Sequence, residues 1–465
     1  MWTEIANGFM AGFQFIINCG PTVMLPIIIT IVGLIFGLKL TQSFKSGLTL
    51  GIGFAGIKLV LDFMTTNVGP AAKAMVERTG VRLDALDVGW GSIAAITWAS
   101  PIIAFLIFAI LAVNIVLLIL KATHTLDVDI WNYHHMAIVG IMVYFVTHNV
   151  FLGVGSAIVM AILTFKMSDW SQPMVEKFFG IPGVSLPTVS ALSSLVIAVP
   201  VNWLLDKIPF FKNSKFSVKD AQKYLGFFGD SMIMGLLIGI VIGILAGYDL
   251  QQVLGLGVSM SAVLVLIPRM TAMFMEGLMP ISESAQKWSE SKFKGRKLFI
   301  GLDAAVVVGN PDVITTALII IPITIAMAVV LPGNRVLPFA DLAVVPFRVA
   351  MVVALTNGNL LKNLIIGVVV TASLLWCGSA TSPVLTAIAK SVGIKLSTGG
   401  SLLISSFAAT SMIQSYIVYF AFTWKPVIGI PVLLIALAGI WYFFDHVKRI
   451  NKAAEAAEAA IAEGK

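Results

Sequence analysis

Charge is scarce in this sequence: 23 acids and 30 bases among 465 residues, 11% of the chain, where a soluble domain averages about 25%. With 58% of its residues hydrophobic, a soluble globular enzyme is excluded. Cysteine is nearly absent. Cys19 and Cys377 lie at the ends of apolar runs, so neither a disulfide frame nor metal-ligand spacing is suggested, and both read as small packing residues. No Gly-x-x-x-x-Gly-Lys-Ser/Thr occurs, so the chain brings no phosphate loop of its own for ATP. Gly51-Ile-Gly53-Phe-Ala-Gly56 spells the dinucleotide pattern, but inside a hydrophobic run, where close helix packing is the better account. The missing basic n-region and small-residue cleavage site argue against a removable signal peptide. The longest polar stretches are about 20 residues, too short for a soluble domain, and no cofactor or metal is expected.

What remains is apolar sequence in blocks. A spanning helix needs roughly 20 mainly apolar residues. Runs of that kind start near Pro21, Gly47, Pro101, Met136, Asp230, Val253, Val313, Asp341, Leu361 and Pro426, with shorter ones near Gly153 and Leu186. The expectation is an all-α polytopic membrane protein with about eleven transmembrane helices. The net charge of +7 does not point to nucleic acid, because the bases sit in loops. Lys207, Lys212, Lys215, Lys219 and Lys223 share one loop, Lys287, Lys292, Lys294, Arg296 and Lys297 another, and Lys448, Arg449 and Lys452 follow the last apolar run. Loops rich in Lys and Arg stay cytoplasmic. No base precedes Lys39, so the N-terminus is expected outside and the C-terminus in the cytoplasm.

A faint duplication runs through the chain. Gln42 and Gln252, Gly47 and Gly257, and Pro70 and Pro280 are each 210 residues apart, while Asp87 and Asp303 are 216 apart and Asp129 and Asp341 differ by 212. With five crossings per half, the halves would be inverted in the membrane, a recurring transporter plan with sites near the midplane. The division is a first repeat half at 1–205, a cytoplasmic basic loop at 206–228, a second half at 229–425, a last transmembrane helix at 426–445 and a cytoplasmic tail at 446–465. Two places read either as re-entrant hairpins or as ordinary loops, being too rich in Gly, Pro and Ser for helix interiors. They are Phe179-Gly-Ile-Pro-Gly-Val-Ser-Leu-Pro187-Thr188-Val-Ser190 and Gly393-Ile-Lys-Leu-Ser-Thr-Gly399-Gly400-Ser401.

The candidate site starts at Leu298-Phe-Ile-Gly-Leu-Asp303, whose acid lies in an apolar run broken by Gly309, Asn310 and Pro311. A membrane tolerates such a break only where the freed backbone faces protein or a water-filled cavity, and a charge there marks a substrate or ion pathway. A carboxylate accepts only, and a polyhydroxylated ligand offers many donors. The alternative is that Asp303 caps the segment that follows. Asp87 and Trp90 occupy the matching stretch of the first half. Trp90, Trp98 and Trp131 suit stacking on a sugar face or anchoring at the membrane interface. In Asp127-Val-Asp129-Ile-Trp131-Asn132-Tyr133-His134-His135 the acids either cap the following helix or join a site. The histidines suit hydrogen bonding or proton carriage, whereas zinc is disfavoured because adjacent histidines point to different helix faces. Arg348, inside an apolar run, calls for an internal carboxylate; Arg335 lies in an exposed turn.

These residues also form motifs. Gly20-Pro-Thr-Val-Met-Leu-Pro-Ile27, Gly51-Ile-Gly-Phe54, Gly69-Pro-Ala-Ala-Lys-Ala-Met75, Asp87-Val-Gly-Trp90, Thr97-Trp-Ala-Ser100, Val128-Asp-Ile-Trp-Asn132, Gly243-Ile-Leu-Ala-Gly-Tyr-Asp249, Phe299-Ile-Gly-Leu-Asp303 and Leu331-Pro-Gly-Asn334 with Val336-Leu-Pro-Phe339 resemble the membrane (IIC) component of the galactitol phosphotransferase system. The resemblance runs from about residue 20 to 345 and then fades. It implies a homodimer of two-domain protomers in the bacterial inner membrane, with a dimerising scaffold and a moving, elevator-type core. It also implies a soluble IIB partner whose phosphocysteine phosphorylates the sugar, with IIA upstream. No cysteine sits in a polar domain of this chain, in keeping with a donor on another chain. Asp303 and His135 match positions that the superfamily uses around its sugar, and Asn310 lies at the family's break after the acid. Galactitol-type members usually carry Pro-His-Gly-Thr-Ser where this chain has Pro187-Thr188-Val189-Ser190, which leaves galactitol, another hexitol, a pentitol or a sugar open.

The expected function is a sugar or polyol permease with a substrate site around Asp303, His135, Asn310, Thr188, Asp87, Trp90 and Asp129. Its partners would be the polyol, IIB and IIA, the bilayer and a second copy. A proton-coupled sugar transporter using the same Asp and His, and a non-transporting membrane receptor, are the rivals.

Overall fold

The computed structural model describes residues 21–78, 83–98, 100–127, 129–212, 231–292, 298–338, 340–391, 403–439 and 442. Helices α1 (Pro21–Ile35) and α2 (Leu40–Arg78) lead to β1 (Ala85–Asp87), α3 (Gly89–Trp98), α4 (Ile103–Ile119) and β2 (Thr125–Asp127). Next come α5 (Ile130–Thr147), α6 (Val150–Phe179), β3 (Val184–Ser185) and α7 (Val189–Leu205). The same order then returns: α8 (Ser231–Ala246), α9 (Leu250–Lys292), β4 (Phe299–Gly301), a 3-10 turn (Ala304–Val306), α10 (Pro311–Val330) and β5 (Val336–Leu337). After them follow a second 3-10 segment (Ala340–Val344), α11 (Val345–Leu355), α12 (Leu360–Ser391), β6 (Leu403–Ser405) and α13 (Ile413–Thr423). An apolar helix α14 (Pro426–Gly439) ends the described chain's helical part. Helices α2 and α9 begin 210 residues apart, as do α6 and α12. The element order thus recurs at the spacing of the scattered Gln, Gly and Pro matches.

The six strands were not foreseen by an all-helical reading. They have two or three residues each and make two sheets, ordered β5-β1-β6 and β2-β4-β3, with every pairing parallel. The physical cause is backbone satisfaction. Where a chain breaks helix among apolar neighbours, its N–H and C=O groups have no water to bond. Here the break segments bond one another, and they do so across the two halves. The central β1 of the first half pairs with β5 and β6 of the second, and the central β4 of the second pairs with β2 and β3 of the first. The registers correspond: Ala85 faces Val336 as Phe299 faces Thr125.

Four helices, α1, α2, α8 and α9, pack together as one bundle, α2 lying along α9. Between apolar helices in lipid, close van der Waals contact supplies the attraction, so small residues mark the crossings. At Gly277 of α9 a Cβ would stand 2.8 Å from both the Ser46 carbonyl oxygen and the Leu50 nitrogen of α2. Ile31, Leu34, Phe44, Leu48, Val241 and Ile244 of this bundle are exposed, a surface that needs hydrocarbon or protein against it. The remaining elements enclose both sheets. Their buried apolar residues fall into two clusters, one continuous with the four-helix bundle and holding β3, β4 and α10, the other gathered around α4, α5, α12 and α13.

By length and composition α6, α10 and α12 suit a membrane crossing, with shorter apolar helices beside them among the described residues. The proposed hairpin at 179–190 contains the left-handed cap Gly180 (φ +71°) that ends α6, then β3, then the start of α7. The second hairpin, 393–401, lies outside the described residues, as do Cys19 and the basic stretches 213–230, 293–297 and 446–465. Cys377 is a buried free thiol.

Candidate functional site

The sheet β2-β4-β3 places the end of three break segments at one spot, and the polar side chains collect there. Strand β2 is fixed first. Asn114 of α4 donates to the Thr125 carbonyl at 2.9 Å and accepts from the Asp127 N–H at 3.1 Å. Asp169 of α6 accepts from the hydroxyls of Thr123 and Thr125 and from the N–H groups of His124 and Thr125, at 2.8–3.0 Å. Strand β4 then closes onto β2 and Pro187. A Cβ at Gly301 would lie 2.8 Å from Asp127 Cα and 2.9 Å from Pro187 Cγ, so glycine is required for this approach.

Asp303 follows β4 and is 9% exposed. Its Oδ1 accepts from the Ala305 N–H at 2.8 Å, so the capping alternative holds for one oxygen. Its Oδ2 meets the Thr188 hydroxyl at 3.3 Å. Thr188 is fully buried at the start of α7 and accepts from the Ala304 N–H at 2.8 Å. Its single proton faces two acceptors, Asp303 Oδ2 and, at 3.0 Å, Asn132 Oδ1. The Asn132 amide donates at 3.1 Å to Asp127 Oδ1, which also accepts from the Asp129 N–H at 3.3 Å. A buried line Asp127–Asn132–Thr188–Asp303 thus joins β2, α5, α7 and the turn after β4. Among the described residues Asp127 Oδ2 meets no donor and His135 Nδ1 no hydrogen-bond partner. The two imidazoles lie with ring centroids 3.9 Å apart, and His135 hydrogen-bonds the Ala408 carbonyl.

The other sheet, β5-β1-β6, assembles Asp87 and Trp90 elsewhere. Asp87 is fully buried, its Oδ1 accepting from the Gly89 N–H at 3.2 Å and its Oδ2 from the Asp341 N–H at 2.8 Å. Asp341 Oδ1 accepts from the Trp90 N–H at 2.8 Å, and its Oδ2 from the Ser406 hydroxyl at 2.6 Å and the Ala408 N–H at 3.0 Å. Arg348 is 2% exposed, with Phe407 5.2 Å away at its ring centroid. Asp341 and Asp87 attract it at a distance, but no hydrogen bond reaches its guanidinium. The internal carboxylate partner expected for Arg348 is therefore a field from two acids and not an ion pair.

Of the residues named from sequence, Asp303, Thr188 and Asp129 are brought together, and His135 stands between the two clusters by its bond to Ala408. Asn310 does not join the network. It is half-buried and caps α10, accepting from the Asp312 N–H at 2.9 Å. Asp87 and Trp90 belong to the second cluster. The side chains of Trp98 and Trp131 lie outside the described residues. Asn132, Asp169 and Asp341 were missed as site-forming residues, and for Asp127 the sequence leaves both a helix cap and a site open. Only Asp127 and Asn132 carried a signal, their place inside the motif around Asp129. Arg335, read as exposed, pairs with half-exposed Asp84 and holds that carboxyl below the usual carboxylate range through a charged hydrogen bond.

Against known proteins, residues 15–399 match the family EIIC-GAT, described as PTS system sugar-specific permease component. The match extends beyond residue 345, where the motif resemblance faded. The chain is 38% identical over 392 residues to the PTS system galactitol-specific EIIC component of Escherichia coli (strain K12), covering 84% of this chain and 87% of that protein. The protein of the same description from Escherichia coli O157:H7 gives the same figures.

Proposed function

Because the chain belongs to the EIIC-GAT family of phosphotransferase-system sugar-specific permease components, we propose that it moves a galactitol-like polyol across the bacterial inner membrane for phosphorylation by a separate IIB protein. The observation that carries this reading is the buried line from Asp127 to Asp303, built where break segments of both halves meet. Its free acceptors suit a cargo rich in hydroxyl donors, and an intramembrane acid is a substrate-path residue by default. The chain itself orients a hydroxyl toward the donor, a proximity effect. IIB phosphocysteine, recharged through IIA, supplies the phosphoryl group; no step needs a cofactor or metal from this chain.

The same reading takes the α1, α2, α8 and α9 bundle as a dimerising scaffold and the rest as an elevator-type core. The exposed apolar flank of the bundle supports a second copy there. The halves are inverted, with about eleven crossings and the tip at 179–190 entering the membrane. The turn at Lys207, the Lys287 end of α9 and the C-terminus face the cytoplasm, and the N-terminus lies outside. Uptake of labelled galactitol in cells supplying IIA and IIB tests the proposal. The expected product is an intracellular polyol phosphate that vanishes when IIB is deleted. Free polyol accumulating in vesicles without IIB would instead establish a proton-coupled transporter.

A further inference from the structure

We propose that Asp127 is a second substrate-binding carboxylate, which accepts a hydroxyl of the polyol one hydroxyl or more away from the one held by Asp303. This deepens the permease reading and rests on it.

Three observations carry the inference. Asp127 is 3% exposed, yet among the described residues its Oδ2 meets no donor, and a buried acceptor left without a partner is costly. Such groups in native structures call for an explanation, a bound group among them. Its Oδ1 is held by the Asn132 amide and the Asp129 N–H, which fixes the carboxylate plane and leaves Oδ2 as the free position. Finally, Asp127 interacts electrostatically with both Asp129 and Asp303, so the acids share one region of the fold.

The chemistry then selects the partner. An ionised carboxylate accepts, and a protonated one both donates and accepts; a hydroxyl, which also does both, can meet the open oxygen in either state. Among the described residues no three acidic, His or Cys side chains are placed to hold a metal ion, and the donors a polyol offers are hydroxyls. Asp127 and Asp303 are separated by two side chains and three hydrogen bonds of 3.1, 3.0 and 3.3 Å. Two acids at the ends of such a line suit two hydroxyls of one extended chain, which carries them on successive carbons. When such a chain donates to Asp303, the Thr188 proton turns fully to Asn132. The Asn132 amide stays on Asp127, and the second acid keeps its orientation. The arrangement therefore favours acyclic polyols over ligands with a single free hydroxyl edge.

The test is equilibrium binding of galactitol and of its 1-, 2- and 3-deoxy analogues to the purified full chain in nanodiscs. Wild-type protein is expected to bind one analogue about 10- to 100-fold more weakly than galactitol. Asp127→Asn, which places an amide donor or a weaker acceptor there, is expected to weaken galactitol binding by a similar factor and to lose that discrimination. Asp127→Glu keeps the charge and should change which analogue is penalised, so it decides the matter should the Asn variant not fold. A variant that keeps wild-type ranking of the analogues overturns the inference while the permease reading stands. Wild-type protein that binds no polyol at all overturns the reading itself.

Discussion

The two sheets of this protein are built alike and finished differently. Around β5-β1-β6, each oxygen of Asp87 and Asp341 has a donor from the protein, among them three backbone N–H groups drawn from residues 250 or more apart or from across the second half. Around β2-β4-β3, Asp127 Oδ2 and His135 Nδ1 have none among the described residues, and one Thr188 proton serves two acceptors. A saturated polar cluster binds the chain to itself and specifies one arrangement, whereas an unsaturated one is costly until something fills it. The two devices are alike in plan, but an acid keeps an open oxygen in only one of them; in the other the open groups are the nitrogens of Arg348.

The sharpest way to break this contrast is to neutralise one acid in each cluster. Asp303→Asn should lower polyol uptake by about 100-fold or more, with little change in unfolding temperature, since an amide still caps Ala305 and meets Thr188. Asp341→Ala should do the reverse in cause. It strands the Trp90 and Ala408 N–H groups, each costing about 1–3 kcal/mol, so the protein should be poorly folded when thermal unfolding in detergent is followed. An Asp341→Ala protein that melts like wild type while failing to transport would place both clusters in the same role.

A smaller effect is expected at Thr188. Thr188→Val removes the hydroxyl that Ala304 donates to and should weaken binding about tenfold, while Thr188→Ser restores it; equal binding by both variants would remove the hydroxyl from the network. Gly301→Ala forces β4 from β2 and should cost about 1–3 kcal/mol, read as a lower melting temperature that the saturated sheet does not share. The least effect belongs to the exposed Asp84–Arg335 pair. Such pairs contribute about 0.2–1 kcal/mol. Arg335 lowers the Asp84 carboxyl from its ordinary value, so the stabilisation is present above about pH 4 and is lost as pH falls through the lowered value. Arg335→Gln should erase that acid-side loss and leave transport near wild type.

Much of this was readable in the residues. The acid at 303, the Gly309-Asn310-Pro311 break and the 210-residue spacing are local or periodic signals, and the fold keeps all three. The strands were hidden because two or three residues carry no period, and their partners lie in the opposite half. For the same reason Asp87 read as a twin of Asp303, although its oxygens are taken by Gly89 and by Asp341, 254 residues away. Asp127 looked like a helix cap from its place before α5. Its vacant oxygen depends on how Asn114 and Asn132 hold the strand, which only packing decides.

The exchanged ladders also constrain biosynthesis. Strand β1 is made early, but its neighbours Val336–Leu337 and Leu403–Ser405 leave the ribosome only after most of the chain has been threaded into lipid. Until then the amides of Ala85–Asp87 lack the strands they pair with, and away from water every unmet group is costly. A nascent protein stalled before Ser405 is therefore a natural substrate for membrane quality control, and the two halves expressed as separate polypeptides should survive only when they meet.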